Sequence, residues 1–266
     1  MVGGGGGAGF SLCGVGGTGG AASRLSSWRR GPGLVIIAAL AAVVVAAGAG
    51  YAVLRVRPHP AAPAVLRASG IPASVSTSLS DLMQLSPVPV RGAPDFTLTD
   101  QDGHPVSLAG LRGRAVVLEF MDPHCTDICP IVSQEFIDAY RDLGASAARV
   151  VFVAVNVNRY HLRVADVAAF SGEQRLTQVP SWHFLTGSYP SLAAVWRDYE
   201  ITVDAPGPDA DVVHSSQLYF IDARGRERFV ADPMADRTAS GSSFLPAGQL
   251  ASWGQGIALV ARQLVT

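Results

Sequence analysis

Two closely spaced cysteines and a later histidine are the residues in this sequence best suited to chemistry. Cys125 and Cys129 lie in the run Cys-Thr-Asp-Ile-Cys-Pro at residues 125–130, and His214 lies far downstream. Two thiolates and one imidazole form a soft donor set, which suits copper(I) or thiol redox chemistry better than hard-ion binding or acid–base catalysis. This chemistry requires a fold that brings the three side chains together.

The elements around these residues predict an α/β domain. Ala115–Met121 and Val150–Val157 are nearly continuous apolar runs, typical of strands covered on both faces. The other predicted strands are Asp95–Thr99, Pro105–Leu108, Trp182–Leu185, Val212–Ile221 and Glu227–Val230. Helices are predicted from Pro130 onward and over Arg163–Gly172, Pro190–Tyr199 and Pro246–Val265. The order strand, helix, strand, helix, hairpin, helix is the thioredoxin arrangement.

In that arrangement the two cysteines lie at a junction between a strand and a helix. Cys125 follows the first long strand, and Cys129 begins the next helix, directly before Pro130. The free N–H groups and dipole of a helix N-terminus stabilise a thiolate. We therefore expect Cys129 to be the more acidic thiol.

The N-terminal part of the chain predicts a tail, an anchor and a tether. Residues 1–33 are rich in glycine and predict a disordered cytoplasmic tail. Residues 34–54 carry no charge, and as a helix they would span roughly 30 Å of hydrocarbon. They predict a transmembrane anchor, with a cleaved secretory signal as the alternative. Residues 55–92 are rich in proline and predict a linker to the domain at residues 93–266.

Charge and cysteine content exclude several classes of function. The net charge is -1, and no basic patch predicts nucleic-acid binding. Three cysteines occur, and Cys13 lies in the glycine-rich tail, away from the other two. A domain with only two cysteines is not a disulfide scaffold, so this pair is chemical or redox-active, or else a local staple.

Three groups of residues resemble a known family. They are His124 to Pro130, the pair His214-Ser215 followed by Tyr-Phe-Ile-Asp at 219–222, and Asp-Phe-Thr-Leu-Thr-Asp at 95–100. Together with the single predicted anchor, they resemble the Sco (SenC) copper proteins, which are thioredoxin-fold assembly factors for the binuclear copper site of cytochrome c oxidase. The resemblance implies that Cys125, Cys129 and His214 are copper ligands and that the two cysteines form a reversible disulfide.

The resemblance also implies a function, a location and partners. The expected function is that of a membrane-anchored metallochaperone, not a turnover enzyme, which delivers Cu(I) to the oxidase site or reduces its thiols. Cu(II) is the alternative bound state. The expected partners are the copper-bearing oxidase subunit or another copper chaperone, met by a domain on the extracytoplasmic side of the cell membrane. The sequence departs from the family pattern at Thr126, at Val213 and over residues 156–160, where the Asp-Pro-Glu-Arg-Asp motif is missing.

Three alternatives stay open. A thiol-disulfide oxidoreductase needs only this fold and a cysteine pair. A peroxiredoxin-like peroxidase would use Cys129 within a Pro-x-x-Thr-x-x-Cys loop, but it gives Cys125 no purpose. In the plainest alternative the cysteines form a structural disulfide and His214 is a hydrogen-bonded strand residue. We expect His161 to be a surface or turn residue and Glu119, within an apolar strand, to be costly if buried without a partner.

Overall fold

The computed structural model describes residues 70–265. The helices are α1 (Thr77–Leu82), α2 (Cys129–Leu143), α3 (Val164–Glu173), α4 (Tyr189–Asp198) and α5 (Ala247–Gln263). The strands up to the middle of the domain are β1 (Ser86–Gly92), β2 (Thr97–Thr99), β3 (Pro105–Ser107), β4 (Ala115–Met121), β5 (Val150–Asn156) and β6 (Trp182–Leu185). The remaining strands are β7 (Val203–Asp204), β8 (Val213–His214), β9 (Leu218–Ile221), β10 (Arg226–Ala231), β11 (Asp236–Arg237) and β12 (Ser243–Phe244).

A six-stranded sheet organises the domain, in the order β1-β10-β9-β4-β5-β6. β4 runs parallel to β5, and β5 runs parallel to β6. β9, β10 and β1 continue the sheet on the other side of β4 in antiparallel pairs. Every residue of β4 and β5 is buried, as expected for central strands that carry cores on both faces.

The alternation of side chains along β4 divides the interior into two cores. Val117 and Met121 belong to the core that includes α2 and α5. Leu118 and Phe120 point the other way, into the core formed with the β2–β3 hairpin and α4. A one-residue shift of β4 would exchange these two faces, so the two cores fix its register.

Helices α2 and α5 approach closely because glycine stands at the contact. A Cβ atom placed on Gly254 would lie 2.6 Å from the Cβ of Asp138 and 3.1 Å from the backbone nitrogen of Ala139. One placed on Gly256 would lie 2.2 Å from the sulfur of Met83. Glycine therefore allows α5 to cover the helix that begins at Cys129.

The structure corrects the predicted linker at its C-terminal end. The prediction assigned all of residues 55–92 to a tether, but α1 and the edge strand β1 lie within that range. β1 pairs with β10, with a register shift between Pro87 and Arg91. Edge strands tolerate proline, so the prolines that suggested a linker are compatible with a strand.

The predicted strand Val212–Ile221 is also wrong in part, since it divides into β8 and β9. β8 pairs with β7 instead of joining the large sheet. The residues between them are held by side-chain bonds: Ser215 Oγ accepts from the backbone nitrogen of Thr202 at 2.9 Å, and Ser216 Oγ donates to Glu119 at 3.0 Å. These bonds turn the chain away from a continuous strand.

The predicted tail at residues 1–33, the anchor at 34–54 and the first part of the linker lie outside the described residues. Among residues 70–265, none of the helices combines the length and the apolar composition needed to cross a bilayer.

Candidate metal and thiol site

The structure brings the two cysteines together at the junction of β4 and α2. Cys129 is the first residue of α2 and is 2% exposed, whereas Cys125 lies on the preceding loop and is half-buried. The backbone N–H groups of Asp127 and Cys129 both donate to Cys125 Sγ at 3.4 Å. Both thiols are free.

The two thiols differ in acidity, in the order opposite to the one predicted. A hydrogen bond from the Cys129 thiol, helped by the two backbone donors, lowers the pKa of Cys125 to about 7 against the effect of burial. The same thiol–thiol contact, together with burial, raises the pKa of Cys129 well above its ordinary value. The expectation that Cys129 is the more acidic thiol is therefore wrong. The donors at the helix start point at Cys125, while Cys129 is enclosed by the core.

His214 is held as a neutral imidazole on the short strand β8. Burial lowers its pKa, against a raising effect of its bond to Ser215. The backbone oxygen of Ser215 lies 3.0 Å from Nδ1, and because a carbonyl only accepts, Nδ1 carries the proton. Nε2 therefore keeps the lone pair that a metal requires.

The structure does not gather the three predicted ligands into one compact set. Within residues 70–265, the compact groups with ligand atoms within 4.8 Å of one another are His124–His161–Asp166 and Asp100–Asp102–His104. Cys125, Cys129 and His214 are not such a group. Val213, the neighbour of His214, nevertheless lines the same open cavity as Cys125. The assignment of His214 as a ligand stays a prediction.

Comparison with known proteins identifies the family. A family model described as SCO1/SenC matches residues 88–239, which is more than half of the chain. The chain belongs to the SCO1/SenC family. This SCO1/SenC protein is 33% identical over 144 residues to the mitochondrial SCO2 homolog of Mus musculus, covering 50% of this chain and 53% of the mouse protein. It is 26% identical over 133 residues to the SCO1 protein homolog of Bacillus subtilis (strain 168), covering 49% of this chain and 68% of that protein.

A solved structure confirms the fold of this SCO1/SenC protein. The crystal structure of Arabidopsis thaliana ScoI with copper bound superposes with a TM-score of 0.52 at 24% identity, over 65% of this chain and 99% of that chain. The predicted thioredoxin-like α/β class and the predicted family are both confirmed. The chain spans about half the length of the mouse relative.

Two buried carboxyl groups lie in the SCO1/SenC domain behind the thiols. Glu119 on β4 is 0% exposed, and burial raises its pKa to about 8, although Ser216 donates to its Oε1. Glu135 on α2 is also buried, and burial and the proximity of Glu119 raise its pKa well above its ordinary value. Both are therefore held mainly as neutral acids near pH 7. The sequence singled out Glu119 but not Glu135, although Glu135 lies between Val132 and Phe136 on the apolar face of α2.

Asp127, between the two cysteines, ties the site to the distant β11–β12 hairpin. Its carboxylate accepts from the guanidinium of Arg237 at 2.7 Å and from the hydroxyl of Ser243. Its partners lie more than a hundred residues away, so no local signal predicted them.

Proposed function

We propose that this SCO1/SenC protein binds Cu(I) through Cys125 and Cys129, with His214 as the third ligand. The observation that carries this proposal is the pair of free, adjacent thiols, of which Cys125, with a pKa of about 7, lines an open cavity. Soft thiolates select Cu(I), and a set of only three protein ligands leaves the metal open to the ligands of a recipient. The copper-bound state of the Arabidopsis thaliana relative supports copper as the cargo.

Binding must displace the proton of the buried thiol. Cys125 already carries a thiolate in about half of the molecules at pH 7. Cys129 does not, so Cu(I) binding releases its proton and tightens as the pH rises. Cavity access on the Cys125 side implies that a recipient approaches from there.

The same proposal extends to location and partners. Residues 34–54 would anchor the domain on the extracytoplasmic face of the cell membrane. There it would deliver Cu(I) to the copper-bearing subunit of cytochrome c oxidase, exchange copper with another chaperone, or reduce the thiols of the oxidase site. Family membership and the donor set support this role.

Competition with a coloured Cu(I) chelator tests the ligand set. We expect one Cu(I) per reduced wild-type chain and an affinity at least about tenfold lower for His214→Ala, because one of three ligands is lost. His104→Ala is the matched control, since His104 is an exposed imidazole on the β2–β3 turn. Equally tight binding by wild type and His214→Ala would remove His214 from the ligand set and favour redox chemistry of the thiols.

The asymmetry of the two thiols supports a second candidate function, thiol-disulfide exchange. A half-buried Cys125 thiolate can attack a disulfide, and the adjacent Cys129 can then resolve the mixed disulfide. Turnover with a small disulfide and a dithiol reductant distinguishes the two functions. A chaperone should show little turnover, whereas rapid turnover lost in Cys125→Ser would establish the oxidoreductase.

A further inference from the structure

Two histidines of a second group of potential metal ligands line the same cavity as Cys125. The rings of His124 and His161 stack with their centroids 3.6 Å apart and their planes 29° apart. With the carboxylate of Asp166 they offer three ligand atoms, all within 4.8 Å of one another. His124 and His161 line the cavity that also contains Cys125.

Sheet topology brings the two histidines together. β4 and β5 are parallel neighbours, and their last residues, Met121 and Asn156, are paired in register. The loops that carry His124 and His161 therefore leave the same edge of the sheet side by side. Asp166 reaches the group from the first turn of α3.

Buried hydrogen bonds hold both loops in place. Asp122 Oδ1 accepts from the backbone nitrogen of His124 at 2.8 Å and from Asn158 Nδ2 at 3.0 Å. Asn156 Nδ2 donates to the backbone oxygen of His161 at 2.7 Å. Asp122, Asn156 and Asn158 are all buried, so this network links the two loops rigidly. Asn156 and Asn158 belong to the stretch where the sequence departs from the family pattern.

The hydrogen-bond partner of His161 leaves one of its ring nitrogens for a metal, whereas Asp166 is paired with Arg163. Nε2 of His161 lies 3.1 Å from the backbone oxygen of Pro208, and because a carbonyl only accepts, Nδ1 is left with the lone pair. Orientation of a ligating histidine by such an outer bond is typical of metal sites. Both oxygens of Asp166 accept hydrogen bonds from Arg163, so this carboxylate binds a metal by exchanging one of these bonds.

We propose that His124, His161 and Asp166 form a second metal site, which binds Cu(II). Two imidazoles and one carboxylate suit a borderline divalent cation, and three protein ligands leave a position for water. Among the first-row divalent ions, Cu(II) binds such a set most tightly. The site differs from the thiol pair in its donor atoms and is independent of the proposed Cu(I) function.

The other compact group, Asp100–Asp102–His104, is less suited to this role. It contains one imidazole instead of two. Both oxygens of Asp100 accept hydrogen bonds, as both oxygens of Asp166 do, so the carboxylates do not distinguish the two groups. His104 therefore serves as a matched control.

Cu(II) titration of the full chain, solubilised in detergent, tests the proposal. Cys13, Cys125 and Cys129 are replaced by serine in every variant, so that no thiolate binds or reduces the metal. Electron paramagnetic resonance should show one bound Cu(II) with coupling to two nitrogens. His161→Gln should lower the affinity by at least about tenfold and leave one nitrogen, while His104→Gln should change neither.

Several results would overturn the proposal. One is Cu(II) binding that is unaffected when His124→Gln and His161→Gln are combined. Another is binding that is lost in His104→Gln instead. A third is the absence of any Cu(II) binding. Thermal unfolding of the metal-free variants separates loss of a ligand from loss of the fold. Because Cu(I) binding is measured with the thiols intact, failure here leaves the proposed chaperone function standing, and the reverse also holds.

Discussion

Replacement of Cys129 by alanine tests whether its thiol is what makes Cys125 acidic. The pKa of Cys125 lies at about 7 against an ordinary 9.0, and the hydrogen bond from Cys129 is the largest cause. This difference corresponds to about 3 kcal/mol of preference for the thiolate. In the variant the backbone donors of Asp127 and residue 129 still point at Sγ. A return of the pKa to 9.0 is therefore the upper limit of the expected change.

The expected effect on reactivity follows from two opposing terms. At pH 7 the thiolate fraction of Cys125 would fall from about one half to about 1%, a change of about 50-fold. A less acidic thiol gives a more nucleophilic thiolate, and this restores about six- to tenfold of the rate. Alkylation at pH 7 should therefore slow by about five- to eightfold, while the midpoint of the pH profile moves upward.

The assay is alkylation of the reduced, metal-free protein by iodoacetamide over a range of pH, with peptide mass analysis to identify the modified cysteine. All variants carry Cys13→Ser, because Cys13 would otherwise react as well. Cys129→Ser keeps an O–H donor and should hold the midpoint below that of Cys129→Ala. A midpoint that stays near 7 in Cys129→Ala would show that the backbone donors, and not the Cys129 thiol, lower the pKa of Cys125.

Three further predictions concern stability. The folded-state pKa of Glu119 is raised from 4.5 to about 8, so between these pH values the folded state holds a proton that the unfolded state releases. The free energy of unfolding therefore falls by about 5 kcal/mol as the pH rises from 4.5 to about 8. Glu119→Gln should reduce that slope in urea denaturation. Gly256→Ala should destabilise the fold by about 1–3 kcal/mol through overpacking against Met83. Gly248 has open space around it, so Gly248→Ala should stabilise the fold by a few tenths up to about 1 kcal/mol. Asp127→Asn should speed hydrogen exchange in the β11–β12 hairpin and change global stability by no more than about 1 kcal/mol, because the pair with Arg237 is 45% and 61% exposed.

Each of these predictions has an outcome that contradicts it. Parallel pH profiles for wild type and Glu119→Gln would show that this carboxyl does not carry the proton. Equal stability of the two glycine variants would show that α5 can move away from Met83 at no cost. Unchanged exchange in Asp127→Asn would mean that the hairpin is held by other contacts.

The central strands could be predicted from the sequence because burial on both faces leaves a simple signal. Ala115–Met121 is an unbroken apolar run, and β4 has the same bounds. β1 could not be predicted in this way, because it lies at the edge of the sheet and contains two prolines. Its pairing with β10 depends on a partner more than a hundred residues away, which no local pattern reveals.

The thiol pair could be predicted from residue type and spacing, but the acidity of each thiol could not. The sequence reveals only that Cys129 lies at the start of a helix. The structure adds the depth of its side chain, which is 2% exposed, and the direction of the N–H groups, which point at Cys125. Burial disfavours a thiolate, and here it decides the order.

The histidine pair was missed although the sequence carried its signal. His124 and His161 each follow a predicted central strand within a few residues. Once adjacent parallel strands are predicted, side chains just beyond their carboxyl ends are expected to meet at one edge of the sheet. The expectation that His161 is a surface or turn residue rested on its place along the chain and not on the sheet edge that it shares with His124.

The same rule explains why Cys125 lines the same cavity as His124 and His161. Asp122, the first residue after β4, accepts from the backbone nitrogen of Cys125 through its carbonyl and from that of His124 through its carboxylate. It also binds Asn158, which belongs to the loop after β5. A single buried residue thus positions the loop that carries both Cys125 and His124. The edge of the sheet where β4 and β5 end therefore positions Cys125, His124 and His161, and under the two proposals the donor atoms decide which copper state each site favours.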